Sequence, residues 1–184
     1  MNREENTKKT WMSQVDFKDS SSLVKQGFSE FSTVRELVDE GQMVKIPPKN
    51  GVYLILFPEN KQVGFNGGDK KTFALNKTQP KNPDTLRDKQ WVKGTRVIYI
   101  GKAGVLNGKG ASNLRKRLRE YMKWYQKKSN KHHGGRDIWQ INHPGDLLVT
   151  WRVTEGVDPE SCEKALLDKF TAEFKTYPFA NHRR

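Results

Sequence analysis

The chain has 184 residues, enough for one domain with a core and a short appendage, and is only 34% hydrophobic against 30% charged. Lys and Arg outnumber Asp and Glu by 34 to 21, and the resulting +13 charge favours polyanionic partners, nucleic acid first, through counterion release. One cysteine, Cys162, excludes an intramolecular disulfide framework and a cysteine-based zinc site, and no segment approaches the ~20 apolar residues of a membrane span.

The start of the chain is polar and lacks the apolar run of a signal peptide, so a cytoplasmic location is expected. Residues 1–32 are polar and Ser-rich with scattered aromatics, and read as an arm that is partly ordered at best. TVRELVDE (33–40) predicts a short helix capped by Thr33, with Glu36 at the capping-box position. The arm and this helix form the expected segment 1–45, and IPPKNG then opens the main domain, 46–184, with a rigid turn.

VYLILF (52–57) predicts a buried strand and RVIYIG (96–101) a second. Between them, residues 58–95 are rich in Lys, Asn, Gly and Pro, a long excursion of the kind that is usually functional or mobile. ASNLRKRLREYMKWYQ (111–126) is the clearest helix, with Leu114, Leu118, Tyr121, Met122 and Tyr125 at helical spacing. A basic loop, KKSNKHHGGRD, leads to a third strand, LLVTWRV (147–153). Asp158 caps a last helix that begins at Pro159 and runs to about Phe174. The order predicts a small three-stranded sheet flanked by helices, α/β or α+β, with a long insertion between its first two strands.

Strand periodicity puts Tyr53, Ile55 and Phe57 on one face, and Val97 and Tyr99 on one face. Antiparallel pairing would set the two tyrosines side by side. Arg117 and Tyr121, one helical turn apart, share the face that carries Leu114 and Leu118, so Arg117 points toward the sheet or a cleft. Its guanidinium suits bidentate phosphate binding. On the last helix, Glu163 continues a stripe through Leu167, Phe170 and Phe174. A carboxylate on a buried face is costly unless it is paired or binds a metal, whereas Asp168 and Glu173 read as solvated acids. His132 and His133 are adjacent and diverge, which fits a DNA-backbone loop better than a metal pair. Trp91, Trp124, Trp139 and Trp151 read as packing residues, with Trp91 placed where it could also stack on a base.

Taken in order, NGVYLIL, RVIYIGKAG, NLRKRLREY, EKALLDKF and the closing PFAN resemble the GIY-YIG nucleases over about residues 50–181. Gly51-Val52-Tyr53 matches the first motif and Tyr99-Ile100-Gly101 the second. The likeness is to the incision domain of bacterial nucleotide-excision repair and to restriction and homing endonucleases. It implies the GIY-YIG fold and metal-dependent hydrolysis of DNA, double-stranded or branched, with Mg²⁺ or Mn²⁺ held by the single carboxylate of Glu163. It further implies Tyr53 as general base or relay for the attacking water and Tyr99 as its orienting group. Arg117 would neutralise phosphate charge, Tyr121 fills a position held by His or Tyr, and Asn181 braces the site.

Lys102, Arg115, Lys116, Lys131, His132, His133 and Arg136 are the expected DNA-backbone contacts. Members of the family usually join the two tyrosine motifs by a short connection, so 58–95 is an insertion, as in some restriction-type members. Glu163 also lies further ahead of Asn181 than in repair-type members. One such site cuts one strand, so double-strand cleavage implies a homodimer or successive nicks, and recognition is expected from the insertion and loops or from a protein partner. A non-catalytic nucleic-acid-binding module of the same fold, and an RNA-directed nuclease, are the alternative readings.

Overall fold

The computed structural model describes residues 10–105, 112–130 and 134–182. It is an α+β fold built on a four-stranded antiparallel sheet in the order β1-β4-β2-β3. The strands are β1 (Ser32–Thr33), β2 (Gly51–Leu56), β3 (Val97–Ala103) and β4 (Leu148–Val153). The helices are α1 (Ser21–Lys25), α2 (Val34–Val38), α3 (Lys70–Leu75), α4 (Leu114–Tyr121) and α5 (Pro159–Phe174).

Three strands were expected and four are found. The additional one is the two-residue β1, where Ser32 and Thr33 pair with Val149 and Leu148 of β4. Thr33 then turns the chain into α2 through the expected capping box. Its hydroxyl accepts from the Glu36 N–H at 3.1 Å, and its own N–H donates to the Glu36 carboxylate at 2.7 Å. A cap of this kind stabilises a short helix by about 1 kcal/mol.

β2 is central and every one of its residues is buried, which explains its unbroken apolar run. Alternation sends Tyr53 and Ile55 to one core, with Leu114, Leu118 and Tyr121 of α4 and with Phe65, Phe73 and Leu86 of the insertion. Val52, Leu54 and Leu56 go to a second core on the opposite face, against Cys162, Leu166 and Phe170 of α5. Trp11, Met12, Val15, Phe17, Leu23 and Phe28 complete that second core. The described part of the supposed arm is therefore structural: its aromatics cover a sheet face that would otherwise lie open.

Register differs from simple alternation in one place. Between Ile55 and Leu56 the pairing skips Ile98, a β-bulge in β3. Ile98 and Tyr99 consequently both enter the first core, while Val97 enters the second. The expectation that Val97 and Tyr99 share a face fails because the extra residue resets the parity.

α5 begins where its sequence signal puts it, whereas α4 begins at Leu114 and not 111. Asn113 caps α4 by accepting from the Lys116 N–H at 2.9 Å. Asp158 caps α5 by accepting from the Ser161 N–H at 3.0 Å, with Pro159 in the first turn. α4 stops at Tyr121 rather than 126, because residues 122–127 continue as turns that end on the left-handed Lys127, φ 56°.

The insertion is partly helical and folded onto the body. Phe65 bridges Ile141, Phe73 packs edge-on against Trp124, and a helical turn at Pro83–Thr85 runs into a π-helical stretch at Leu86–Gln90. Trp91 meets Phe57, Phe65 and Phe179 with centroids at 5.4, 5.8 and 5.4 Å, so it is a packing residue of the insertion.

Candidate active site

Three elements, remote from one another in sequence, meet above the first core. β2 contributes Tyr53, β3 contributes Tyr99, and α4 contributes Arg117 and Tyr121. Tyr53 is cross-strand from Gly101, and Tyr99 from Ile55, so the tyrosines form a diagonal pair with ring centroids 6.0 Å apart. Gly101 makes this possible: a Cβ there would lie 2.5 Å from the Tyr53 ring and 2.9 Å from the Tyr99 ring. Tyr121 stacks on Tyr99, centroids 5.2 Å apart and planes 13° apart. Its hydroxyl donates to the Gly135 carbonyl at 3.0 Å, and Gly135 holds φ 71°, where a side chain would strike that hydroxyl.

Glu163 arrives from α5, on the other side of β3. The buried stripe of this helix runs through Cys162, Leu166 and Phe170, and Glu163 sits on its border, only 8% exposed. Expectation placed Leu167 and Phe174 within the stripe. Both are instead partly exposed at its edge, and Leu167 joins Glu163 in lining a cleft. That cleft has a volume of about 530 Å³, and Tyr99, Gly135, Asn181 and His182 also line it. A second cavity of similar volume, about 540 Å³, opens beside Trp11, Phe28 and Arg152 and includes none of the candidate residues.

Electrostatics tie the cluster together. Burial pushes the Tyr53 phenol above its ordinary pKa, the Arg117 guanidinium pulls it back, and Glu163 pushes it up again. Burial and the neighbouring Tyr53 raise Tyr99 well above the ordinary value; burial and Tyr99 do the same to Tyr121. Burial also opposes the charge on Arg117, but Tyr53, Tyr99 and Glu163 outweigh it and hold the guanidinium protonated. Arg117 and Tyr99 are near enough to act on the Tyr53 phenol, yet neither meets it in good hydrogen-bond geometry. The Tyr53 hydroxyl and Arg117 Nε are both buried without a hydrogen-bond partner. Other buried polar atoms also lack partners, among them those of Arg152, Thr154 and Thr171, but the Tyr53 and Arg117 atoms are set apart by lying in one electrostatically coupled cluster.

The donor chemistry suits a hard divalent cation shared with substrate. Among the described residues no three of His, Cys, Asp and Glu come together as a metal group; of the carboxylates lining the cleft, Glu160, Glu163 and Asp168, only Glu163 is buried. Mg²⁺ tolerates such a set when water and phosphate oxygens fill the remaining positions.

Asn181 reaches the same site from the C-terminal tail. Its Oδ1 accepts from the Ile100 N–H at 2.9 Å and its Nδ2 donates to the Ile100 carbonyl at 2.8 Å. Ala180 N–H donates to the Ile98 carbonyl at 2.9 Å, so the tail covers the edge of β3 as a further strand would.

The residues expected at the DNA backbone divide into distinct groups. Lys102 forms an ion pair with Glu160 at 2.8 Å beside the cleft. Arg115 is committed to the fold, donating to the carbonyls of Ile46 at 2.7 Å and Val44 at 2.9 Å. Lys116 is exposed on α4, and Arg136 follows Gly135 with its Nε buried and unpartnered. Lys131, His132 and His133 lie outside the described residues.

Sequence reading missed Asp137, Lys81 and His182. Asp137 closes what reads as a basic loop, yet it is wholly buried, with Lys81 Nζ at 2.6 Å and His182 Nε2 at 3.5 Å from its Oδ2. No periodicity announces the cluster. Its one sequence signal is an acid directly before the apolar pair Ile138-Trp139.

Comparison with known proteins returned no matching family model, no matching curated protein and no matching solved structure. No helix among the described residues is long and apolar enough to cross a membrane.

Proposed function

We propose that the chain is a metal-dependent endonuclease of the GIY-YIG type that hydrolyses DNA phosphodiester bonds. One observation carries this reading: Tyr53, Tyr99, Arg117 and Glu163 converge electrostatically from β2, β3, α4 and α5, with the Tyr53 hydroxyl and Arg117 Nε unpartnered. The +13 charge supplies the attraction for the backbone of DNA.

The cleft beside Glu163 receives the scissile phosphate. Glu163 would hold Mg²⁺ or Mn²⁺, which would supply charge to polarise the phosphate and favour ionisation of an attacking water. Arg117, held cationic by its neighbours, faces the charge that develops on the phosphate oxygens. Tyr53 and Tyr99 keep their protons through burial; Tyr99, which lines the cleft, orients the water, and Tyr53 packs beside it within the core, where it can relay a proton. Tyr121 fixes the Tyr99 ring from behind, and Asn181 fixes the backbone that carries it. These two position the reacting groups without touching substrate.

The test is incubation with plasmid, branched DNA and RNA, in Mg²⁺, in Mn²⁺ and with EDTA, beside Glu163→Ala. Metal-dependent cutting of DNA that disappears in the variant is expected. Tight binding without cutting in every condition would leave a binding module, and cutting confined to RNA would change the substrate.

A further inference from the structure

The Asp137 cluster described above lies at the cleft but has no part in the reaction as outlined. Asp137 is fully buried on the short helical turn Arg136–Gln140, which follows Gly135. Its Oδ2 takes the Lys81 ammonium at 2.6 Å and the Gln90 amide at 3.5 Å, while Oδ1 has no partner. Lys81 and Gln90 both come from the insertion. Lys81 is held in turn by Gln140, whose carboxamide accepts from the Lys81 N–H at 2.9 Å and donates to its carbonyl at 2.8 Å. The insertion therefore clamps a buried carboxylate in place.

His182 is what that carboxylate faces on the cleft side. Its Nε2 lies 3.5 Å from Asp137 Oδ2, a charge contact at the outer limit of hydrogen-bond distance, and the side chain is 40% exposed. It lines the same cleft as Tyr99 and Glu163, one residue beyond the Asn181 brace. Its Nδ1 meets no hydrogen-bonding group among the described residues. A buried carboxylate behind one ring nitrogen, with the other left for solvent or substrate, is the arrangement that orients an imidazole for proton transfer.

The charged groups around His182 settle its protonation. Burial pulls its pKa below the ordinary value, Asp137 opposes this, and Lys81 and Arg136 reinforce it. At neutral pH the imidazole is an unprotonated acceptor, whereas Tyr53, Tyr99 and Tyr121 are all pushed the other way by burial and keep their protons.

We infer that His182, oriented by Asp137 and through it by the insertion, accepts the proton of the water that attacks the phosphodiester. This inference rests on the nuclease reading. The water oxygen bonds to phosphorus and its proton passes to the imidazole. The bond from phosphorus to the leaving sugar oxygen breaks with its electron pair on that oxygen, which takes a proton from solvent, and the imidazolium returns its proton to solvent. Tyr53 then serves as the orienting or relaying group between water and acceptor.

Single-turnover cleavage of plasmid DNA in Mg²⁺ tests this, comparing wild type with His182→Gly, with and without added imidazole, beside Glu163→Gln. His182→Gly is expected to slow cleavage on the order of 10²–10⁴-fold while DNA is still bound, and imidazole to restore part of the rate. In wild type the rate is expected to fall with pH along a one-proton limb centred below about 6.5. A His182→Gly rate equal to wild type overturns the inference, as does a slow variant that imidazole leaves unrescued. A flat wild-type profile below neutral pH overturns it even if the variant does not fold. Absence of metal-dependent cleavage by wild type overturns the nuclease reading itself. Loss in Glu163→Gln with full activity in His182→Gly overturns the role of His182 alone.

Discussion

Asn181 holds Ile100 at two points, accepting its N–H at 2.9 Å and donating to its carbonyl at 2.8 Å, so one side chain does the work of a neighbouring strand. Ile100 lies between Tyr99 and Gly101, and both depend on its backbone position. Asn181→Ala removes the pair and leaves two edge groups without their partner. It is expected to cost about 1–3 kcal/mol in chemical denaturation and to lower cleavage more than DNA binding. Unchanged stability would show that solvent replaces the carboxamide without loss.

Gly101 is constrained by space. Its φ is not in the left-handed region, but an added Cβ would sit 2.5 Å from the Tyr53 ring. Gly101→Ala is expected to destabilise the fold by about 1–3 kcal/mol, since neither the fully buried Tyr53 on the central β2 nor the Tyr99 ring stacked on Tyr121 can yield easily. Urea denaturation measures this directly. A neutral substitution would mean that the tyrosine pair is loosely held.

Alkaline stability follows from the tyrosines. Tyr53, Tyr99 and Tyr121 have pKa values raised above the ordinary phenol value, chiefly by burial. Their contribution is complete below about pH 10, the value for an unfolded chain, and is lost as pH rises through the higher folded values. Phenolate absorbance should therefore appear together with unfolding for these three, and replacing Tyr121 with Phe should delay the alkaline transition. Early, fully reversible titration of all the tyrosines in the folded protein would contradict their burial.

Neighbouring basic residues on α4 should behave differently. Arg115 donates to the carbonyls of Val44 and Ile46, so Arg115→Ala is expected to lower stability, by about 1–3 kcal/mol. Lys116 is exposed, and Lys116→Ala should leave stability within about 0.5 kcal/mol. If it meets a DNA phosphate, the slope of binding affinity against salt should fall by about 1. Titrations of both variants at several salt concentrations, with thermal melts, separate the two roles.

Much of this fold is written in local pattern. The Thr33 capping box, the Asp158-Pro159 start of α5 and the apolar run of β2 each follow from residues within a few positions of one another. The nearness of the two tyrosines was also legible from antiparallel pairing of their strands, though the register makes the pair diagonal. What escaped depends on long-range relations. The bulge at Ile98 has no residue signal, and it reverses the face of Val97. The aromatics between Trp11 and Phe28 look scattered in a polar segment until the open face of the sheet is seen. Asp137, Lys81 and His182 come from a loop, an insertion and the tail, and only the fold gathers them. Glu163 lies between these cases: its place near the apolar stripe was readable, but its position at the wall of a cleft with Tyr99 was not.

The most direct measurement is single-turnover cleavage of DNA by Glu163→Gln against wild type, with binding measured separately and the metal varied. The substitution keeps the size of a side chain that is 8% exposed and removes its charge. DNA should still bind, while the Mg²⁺-dependent rate falls on the order of 10³-fold. Cleavage by the variant at the wild-type rate, or wild-type cleavage that persists in EDTA, would contradict a metal-dependent nuclease centred on Glu163.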